Sequence, residues 1–127
     1  MSDKIIVGKN EFDTLVAITE DEHIKGLMYK QWPLPIMTFA FNNLDVRKFW
    51  MMNTPSPLDI IFCRKNKVVA ICEGKPLSLD LVGPDEPIDM VVEMPKGYVD
   101  KFGITINSSV DIQYSIYSLS KKFIDGI

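Results

Sequence analysis

Phe49-Trp50-Met51-Met52-Asn53-Thr54-Pro55-Ser56-Pro57-Leu58-Asp59-Ile60-Ile61-Phe62 is the stretch whose reading decides the fold class. Two apolar runs, rich in aromatic and β-branched residues, flank a short polar segment from Asn53 to Asp59 that holds Pro55 and Pro57. Runs of that make-up suit pleated, half-buried strands. The segment between them gathers an amide, hydroxyls and a carboxylate at one corner of a β-structure. A candidate site therefore sits at that corner.

Downstream, the strand reading continues as a hairpin. Asp59–Arg64 and Lys67–Glu73 pair about a Lys65-Asn66 turn, which sets Arg64 opposite Lys67 and Cys63 opposite Val68. The same register puts Cys72 opposite Asp59. At ~3.3 Å per residue the two thiols then stand more than ~10 Å apart, too far for a disulfide. Two free thiols, buried as small hydrophobes, are expected.

Upstream, Ile5–Lys9 and Glu11–Ile18 read as an opening pair of strands around Gly8-Lys9-Asn10. Thr19-Glu20-Asp21-Glu22 is a capping box, with acids at the positive end of the helix dipole. Ile24, Leu27 and Met28 are spaced to bury one face of a helix of about ten residues. Pro33 and Pro35 end it. Further strands are expected at Ile36–Phe41, Arg47–Met52, Asp89–Met94 and Ser109–Ser115. Pro76, Gly83, Pro84 and Pro87 mark a long irregular connection. Pro95 and Gly103 bracket a short helix, and Ser118–Ile127 is a candidate helical tail. The whole predicts a mainly β domain, a β-sandwich or barrel with one or two short helices.

The 127 residues amount to one domain, spanning 1–127. Hydrophobic residues make up 46% and charged residues 24%, an ordinary balance for a soluble globular chain. The formal net charge of −3 leaves no basic stripe for a nucleic-acid partner. No run approaches the ~20 apolar residues of a membrane-spanning helix. The N-terminus lacks the apolar core of a signal peptide, so a cytoplasmic location is expected.

Asn53, Thr54 and Asp59 form the leading constellation, with Glu73 as a fourth member. A carboxylate at a strand start orients a hydroxyl ligand, accepts a proton, or simply receives backbone N–H bonds. The structural reading leads: Asn53 and Thr54 make side-chain turns while Asp59 ties the loop closed. Ligand binding comes second and catalysis last, because no partner base or nucleophile is evident. Trp50 lies in an apolar run and is expected in the core. Trp32, beside Pro33, is the better stacking platform, or a plug for the end of the sandwich.

Methionines at 28, 37, 51, 52, 90 and 94 are scattered, which suits gap-filling better than soft-metal binding. His23 is the only histidine and falls on the expected polar face of the first helix. One histidine and two separated cysteines do not furnish a zinc site or a triad. Asp80, Asp85, Glu86 and Asp89 lack the ligand order of a calcium loop. No cofactor or metal is expected.

Gly26-Leu27-Met28-Tyr29, Trp50-Met51-Met52-Asn53-Thr54, Pro57-Leu58-Asp59-Ile60-Ile61-Phe62, Val91-Val92-Glu93-Met94-Pro95-Lys96-Gly97 and Phe102-Gly103-Ile104 occur in this order. Together they resemble domain-of-unknown-function family 192 (DUF192), a small bacterial and archaeal domain, over about Glu11 to Ser115. The resemblance implies a jelly-roll-like β-sandwich and no established activity. Two departures stand out. Met52 occupies the place of the family's usual lysine, and Ser108-Ser109 that of its usual Gly-Asp. Many members of the family also carry an export signal.

The resulting expectation is a binding module for a small polar ligand at the Asn53–Asp59 corner, bounded by an aromatic or methionine wall. The alternative is an interaction or assembly module with a protein partner. Its contacts would come from Trp32–Met37 or from the Phe123–Ile127 tail. An enzyme ranks third.

Overall fold

In a computed structural model the chain is described over residues 2–31 and 33–125. Its strands are Asp3–Val7 (β1), Asn10–Ala17 (β2), Met37–Asp45 (β3), Leu58–Arg64 (β4), Lys67–Gly74 (β5), Ile88–Pro95 (β6) and Val110–Gln113 (β7). The helices are Glu20–Lys25 (α1), Tyr98–Lys101 (α2) and Ile116–Asp125 (α3). The seven strands form one sheet in the order β5-β4-β6-β3-β2-β1-β7, with β2 and β3 parallel. The two edges meet at one end, where Val68 N–H donates to the Ser108 carbonyl (3.0 Å) and Val110 N–H to the Asn66 carbonyl (2.9 Å). The sheet is thereby curled into a half-barrel. The domain is mainly β, as expected, with three short helices instead of one or two.

Local signals explain most of the turns. Lys65 and Asn66 take left-handed φ values of 47° and 67°. That is the two-residue turn whose twist matches a hairpin. Arg64 faces Lys67 and Cys63 faces Val68, as expected. Beyond them Phe62 pairs with Ala70, so Val69 is an inserted bulge residue. Cys72 consequently stands opposite Ile60, not Asp59, and Glu73 takes the place opposite Asp59. A one-residue slip exchanges faces, so the two cysteines point to opposite sides of the sheet. Both thiols are free, Cys63 buried and Cys72 half-buried. Burial, with a smaller push from Asp89, raises the Cys63 thiol to about 12.

Three other elements differ from expectation. The capping box of Thr19 and Glu22 is present, but α1 stops after six residues because Gly26 reverses the chain at φ +48°. Leu27 is buried from the turn that follows, while Ile24 is 64% exposed. The Arg47–Met52 segment is no strand. It makes a single bridge, Phe49 to Val82, because the facing chain runs straight into Gly83 and Pro84. Pro95 closes β6 instead of opening a helix, and α2 starts at Tyr98. Gly103 does take the left-handed position beyond it, at φ +63°.

Strand alternation divides the core in two. Ile61, Cys63, Val92 and Met94 join Ile5, Val7 and Val110 inside the curl, which Val99, Phe102 and Ile104 close at one end. Ile60, Phe62, Val91, Met37 and Phe39 point to the outer face and pack beneath Leu27, Leu34 and Met51. Met37, Met51, Met90 and Met94 are buried gap-fillers; Met28 and Met52 are half-buried. Among the described residues no helix is long and apolar enough to cross a membrane. Trp32 and the side chains of the 123–127 segment lie outside the described residues.

Candidate functional site

On the outer face of the sheet a cavity of about 320 Å³ opens between α1 with its following turn, β3, β6 and the 47–54 segment. Its apolar lining includes Phe39, Phe41, Phe49, Trp50 and Met52. Two backbone turns hold its rim together: Tyr29 N–H donates to the Asn53 carbonyl at 2.7 Å. Both residues are left-handed, Tyr29 at φ 63° and Asn53 at φ 54°. The aromatic walls brace one another edge to face, with Phe39 and Phe49 centroids 5.0 Å apart and Phe49 and Phe62 5.7 Å apart.

Glu93 is the exceptional group in this cavity. It lies on β6 between β4 and β3, opposite Ile60 on one side and Met37 on the other. That central position leaves the residue 4% exposed. Its carboxyl has no hydrogen-bond partner among the described residues and opens onto the cavity. Burial pushes its pKa from the ordinary 4.5 up to about 8. At neutral pH it is therefore mainly the uncharged acid, holding an O–H donor beside a carbonyl acceptor. Gly26 gives this carboxyl clearance: a Cβ there would lie 3.1 Å from Phe39 Cζ and 3.9 Å from Glu93 Oε1.

His23 also lines the cavity, which corrects its expected place on a polar face. Its Nε2–H is shared between the carbonyls of Ala17 (3.0 Å) and Ala40 (2.9 Å), and its ring lies tilted by 43° against Phe41, with centroids 4.5 Å apart. Two acceptors at Nε2 fix the proton on that nitrogen. Arg47 also covers Phe41, with its guanidinium 4.0 Å from the ring centroid. Among the described residues no group of three His, Cys, Asp or Glu side chains is placed to hold a metal ion.

The residues singled out from sequence fall into two places. Trp50 and Thr54 line the cavity. Trp50 is 43% exposed, contrary to the core position expected for it, because the 47–52 segment never joins the sheet. Thr54 is buried, and its hydroxyl donates to the Met52 carbonyl at 3.1 Å. Asn53 shapes the rim through its backbone.

Asp59 and Glu73 lie on the other face of the sheet. Asp59 Oδ2 accepts from the N–H groups of Gly97 and Val99, both at 3.0 Å. Glu73 pairs with Lys96 at 2.7 Å, a contact that holds its carboxyl below the usual range. Glu93 and His23 were not singled out as site residues from sequence. For Glu93 the signal was present: it is the lone charge in the apolar run Met90-Val91-Val92-Glu93-Met94.

A family model described as "Uncharacterized ACR" matches residues 4–112. In three dimensions the chain is similar to a protein of unknown function from Novosphingobium aromaticivorans DSM 12444. The TM-score is 0.80 at 29% identity, over 85% of this chain and 83% of that one. It is also similar to a Sinorhizobium meliloti 1021 protein named "putative transcription regulator", with a TM-score of 0.83 at 22% identity, over 88% of this chain and 94% of that one. At that identity the second likeness is one of fold alone. No curated protein matches the chain.

Proposed function

We propose a binding function for this chain, which belongs to the DUF192 family. The site is the cavity above Glu93, with Trp50 and Thr54 on its wall. The ligand is small and flat, mostly apolar, with one polar edge. A cavity of about 320 Å³ is near the lower end of the sizes that hold small molecules. Aromatic walls favour a ring, each good contact contributing about 0.5–1.5 kcal/mol beyond burial. Met52, where the family resemblance leads one to expect lysine, keeps this wall apolar.

The observation that carries the reading is Glu93 itself. Glu93 is an acid that burial desolvates and that no described residue hydrogen-bonds, its carboxyl left open to the cavity alone. Stability alone gives no reason to keep one on a central strand, whereas a binding site does. The neighbouring groups support recognition more than chemistry, since the His23 proton is committed to two carbonyls.

Titrating toluene and benzyl alcohol into labelled protein, followed by backbone amide NMR, tests this. The expected result is a set of shifts at Gly26, Phe39, Trp50 and Glu93. Shifts centred on Gly97 and Val99 would move the site to the Asp59 side. No shifts at all would sink the binding reading.

A second reading has its own observation. Leu77, Leu79 and Leu81 are all exposed, in the segment that hydrogen-bonds Phe49 and Met51. Such a row suits a protein partner. Sedimentation at rising concentration checks for self-association, and a monomer throughout counts against a second copy as that partner.

A further inference from the structure

Given that the cavity is a binding site, the chemical edge that Glu93 meets follows from its surroundings. The titratable groups on the cavity wall besides Glu93 are Glu20, His23 and Lys25 from α1, and Arg47 with Lys48 from the segment opposite. Lys48 Nζ is held by the carbonyls of Gly83 (2.6 Å) and Pro84 (2.9 Å) and by Asp85 (2.7 Å). Arg47 donates to the carbonyls of Asn43 (3.0 Å) and Ile88 (2.7 Å). The neighbours of Glu93 across β4 and β3, Ile60 and Met37, are apolar. None of these groups donates to Glu93, and most of the charge at the wall is positive.

A cationic ligand would therefore enter against Lys25 and Arg47, Lys48 being paired with Asp85. An anionic one can accept from the Glu93 O–H, but it has no donor for the Glu93 carbonyl oxygen and sets a negative oxygen against that lone pair. An uncharged edge meets neither penalty. The carboxylic acid offers a donor and an acceptor side by side, so its complement is an acceptor beside a donor.

We propose that the cavity takes a flat, uncharged ring whose edge carries a carbonyl or ring-nitrogen acceptor next to an N–H donor, and that this edge pairs with Glu93 through two parallel hydrogen bonds. Primary aryl amides, lactams and amino-substituted azines share that edge. Glu93 donates its O–H to the acceptor, and its carbonyl oxygen accepts from the N–H. The ring lies against Phe39, Phe49 and Trp50. No net charge is carried into the cavity and no bond is made or broken. The acid form persists through neutral pH because burial holds Glu93 at about 8, so the pairing is lost in more alkaline solution.

Benzamide, benzamidinium and benzoate test this, because they share one shape and differ in charge. Each is titrated into the full chain between about pH 6 and pH 9, with toluene as the apolar control, and followed by amide NMR. Benzamide is expected to bind best at about pH 6, and its affinity to fall towards tenfold per unit above about pH 8. Glu93→Gln retains a donor beside an acceptor, so it keeps benzamide binding with a flat pH profile. His23 and the wall cations are unchanged in that variant, which assigns the pH dependence to Glu93. Glu93→Met keeps the volume but neither polar atom. It is expected to lose benzamide by roughly tenfold or more while still taking toluene.

If benzamidinium binds best, with affinity rising through about pH 8, Glu93 serves cations and the uncharged-edge proposal is overturned while the binding reading stands. The same holds if toluene alone binds, or if benzoate binds best. If no probe binds, toluene included, the binding reading falls as well.

Discussion

Asp59 and Glu93 lie on neighbouring strands yet face opposite sides of the sheet, Asp59 paired with Met94 and Glu93 with Ile60. One step along a strand changes the face, so two acids this close in the ladder have unrelated surroundings. The Asp59 carboxylate fastens the start of α2 by accepting two backbone N–H bonds, from its N-cap Gly97 and from Val99. Glu93 accepts none among the described residues and is left to the cavity. The acid that stands out in the sequence is a tie, and the one hidden in an apolar run marks the candidate site.

Asp59→Ala therefore destabilises the fold without touching the cavity. It leaves the Gly97 and Val99 amides without their acceptor, at a cost of about 1–2 kcal/mol, as for the loss of a helix cap. Urea unfolding at neutral pH reads the loss, and benzamide titration reads the unchanged site. An unaltered midpoint would show that water replaces the carboxylate without penalty.

Glu93 makes stability depend on pH in a direction opposite to most acids. Its folded pKa, about 8, is above its ordinary 4.5, so between these values the folded state binds more protons than the unfolded one. Its contribution is complete below about pH 4.5 and is lost as pH rises through about 8. Wild type should lose stability relative to Glu93→Gln over that window, by up to the order of 4 kcal/mol. Paired urea unfolding curves at about pH 5 and pH 8 check this. A constant difference between the two proteins would mean that Glu93 titrates normally.

What was legible in the sequence was what neighbouring residues decide among themselves. The Thr19–Glu22 capping box, the Lys65-Asn66 hairpin turn and the left-handed Gly103 all depend on a few adjacent positions. What escaped depends on distant chain. The Val69 bulge sets which residue faces Asp59, and nothing within the β5 segment announces it. Phe49 and Trp50 have strand chemistry, but a strand also needs a partner, and the chain facing them offers one bridge. Gly26 ends α1 early, so Ile24 points outward and His23, not an aliphatic, reaches the sheet. Glu93 is buried because β6 is central, a fact of strand order.

Glu22 anchors the other end of α1, and its acid response runs the ordinary way. Burial raises its pKa, but the hydrogen bond from Lys121 and those from the Thr19 and Ile18 amides outweigh that and bring it down to about 2. The stability it contributes is present above about pH 4.5 and is lost as pH falls towards about 2. Because the pair is partly exposed, Lys121→Met should cost only about 0.5–1 kcal/mol at neutral pH. It should also flatten the acid limb of the stability profile. An NMR titration of Glu22 in that variant should show its pKa moving up towards the usual carboxylate range, and an unmoved value would show that the backbone amides alone hold it down.

Gly26→Ala probes the cap and the cavity together. At φ +48° and ψ −130° the backbone is one that a residue with a Cβ rarely adopts, costing on the order of 1–3 kcal/mol. The added methyl would also meet Phe39 Cζ at 3.1 Å, so that ring must give way over Glu93. Both effects act at the wall of the cavity. The expected outcome is a lowered thermal midpoint and weakened benzamide binding, with the Asp59-bonded amides of Gly97 and Val99 unperturbed in the NMR spectrum. Full benzamide affinity in this variant would show that the ligand does not pass or contact the Gly26 side, and would place its ring against Phe49 and Trp50 instead.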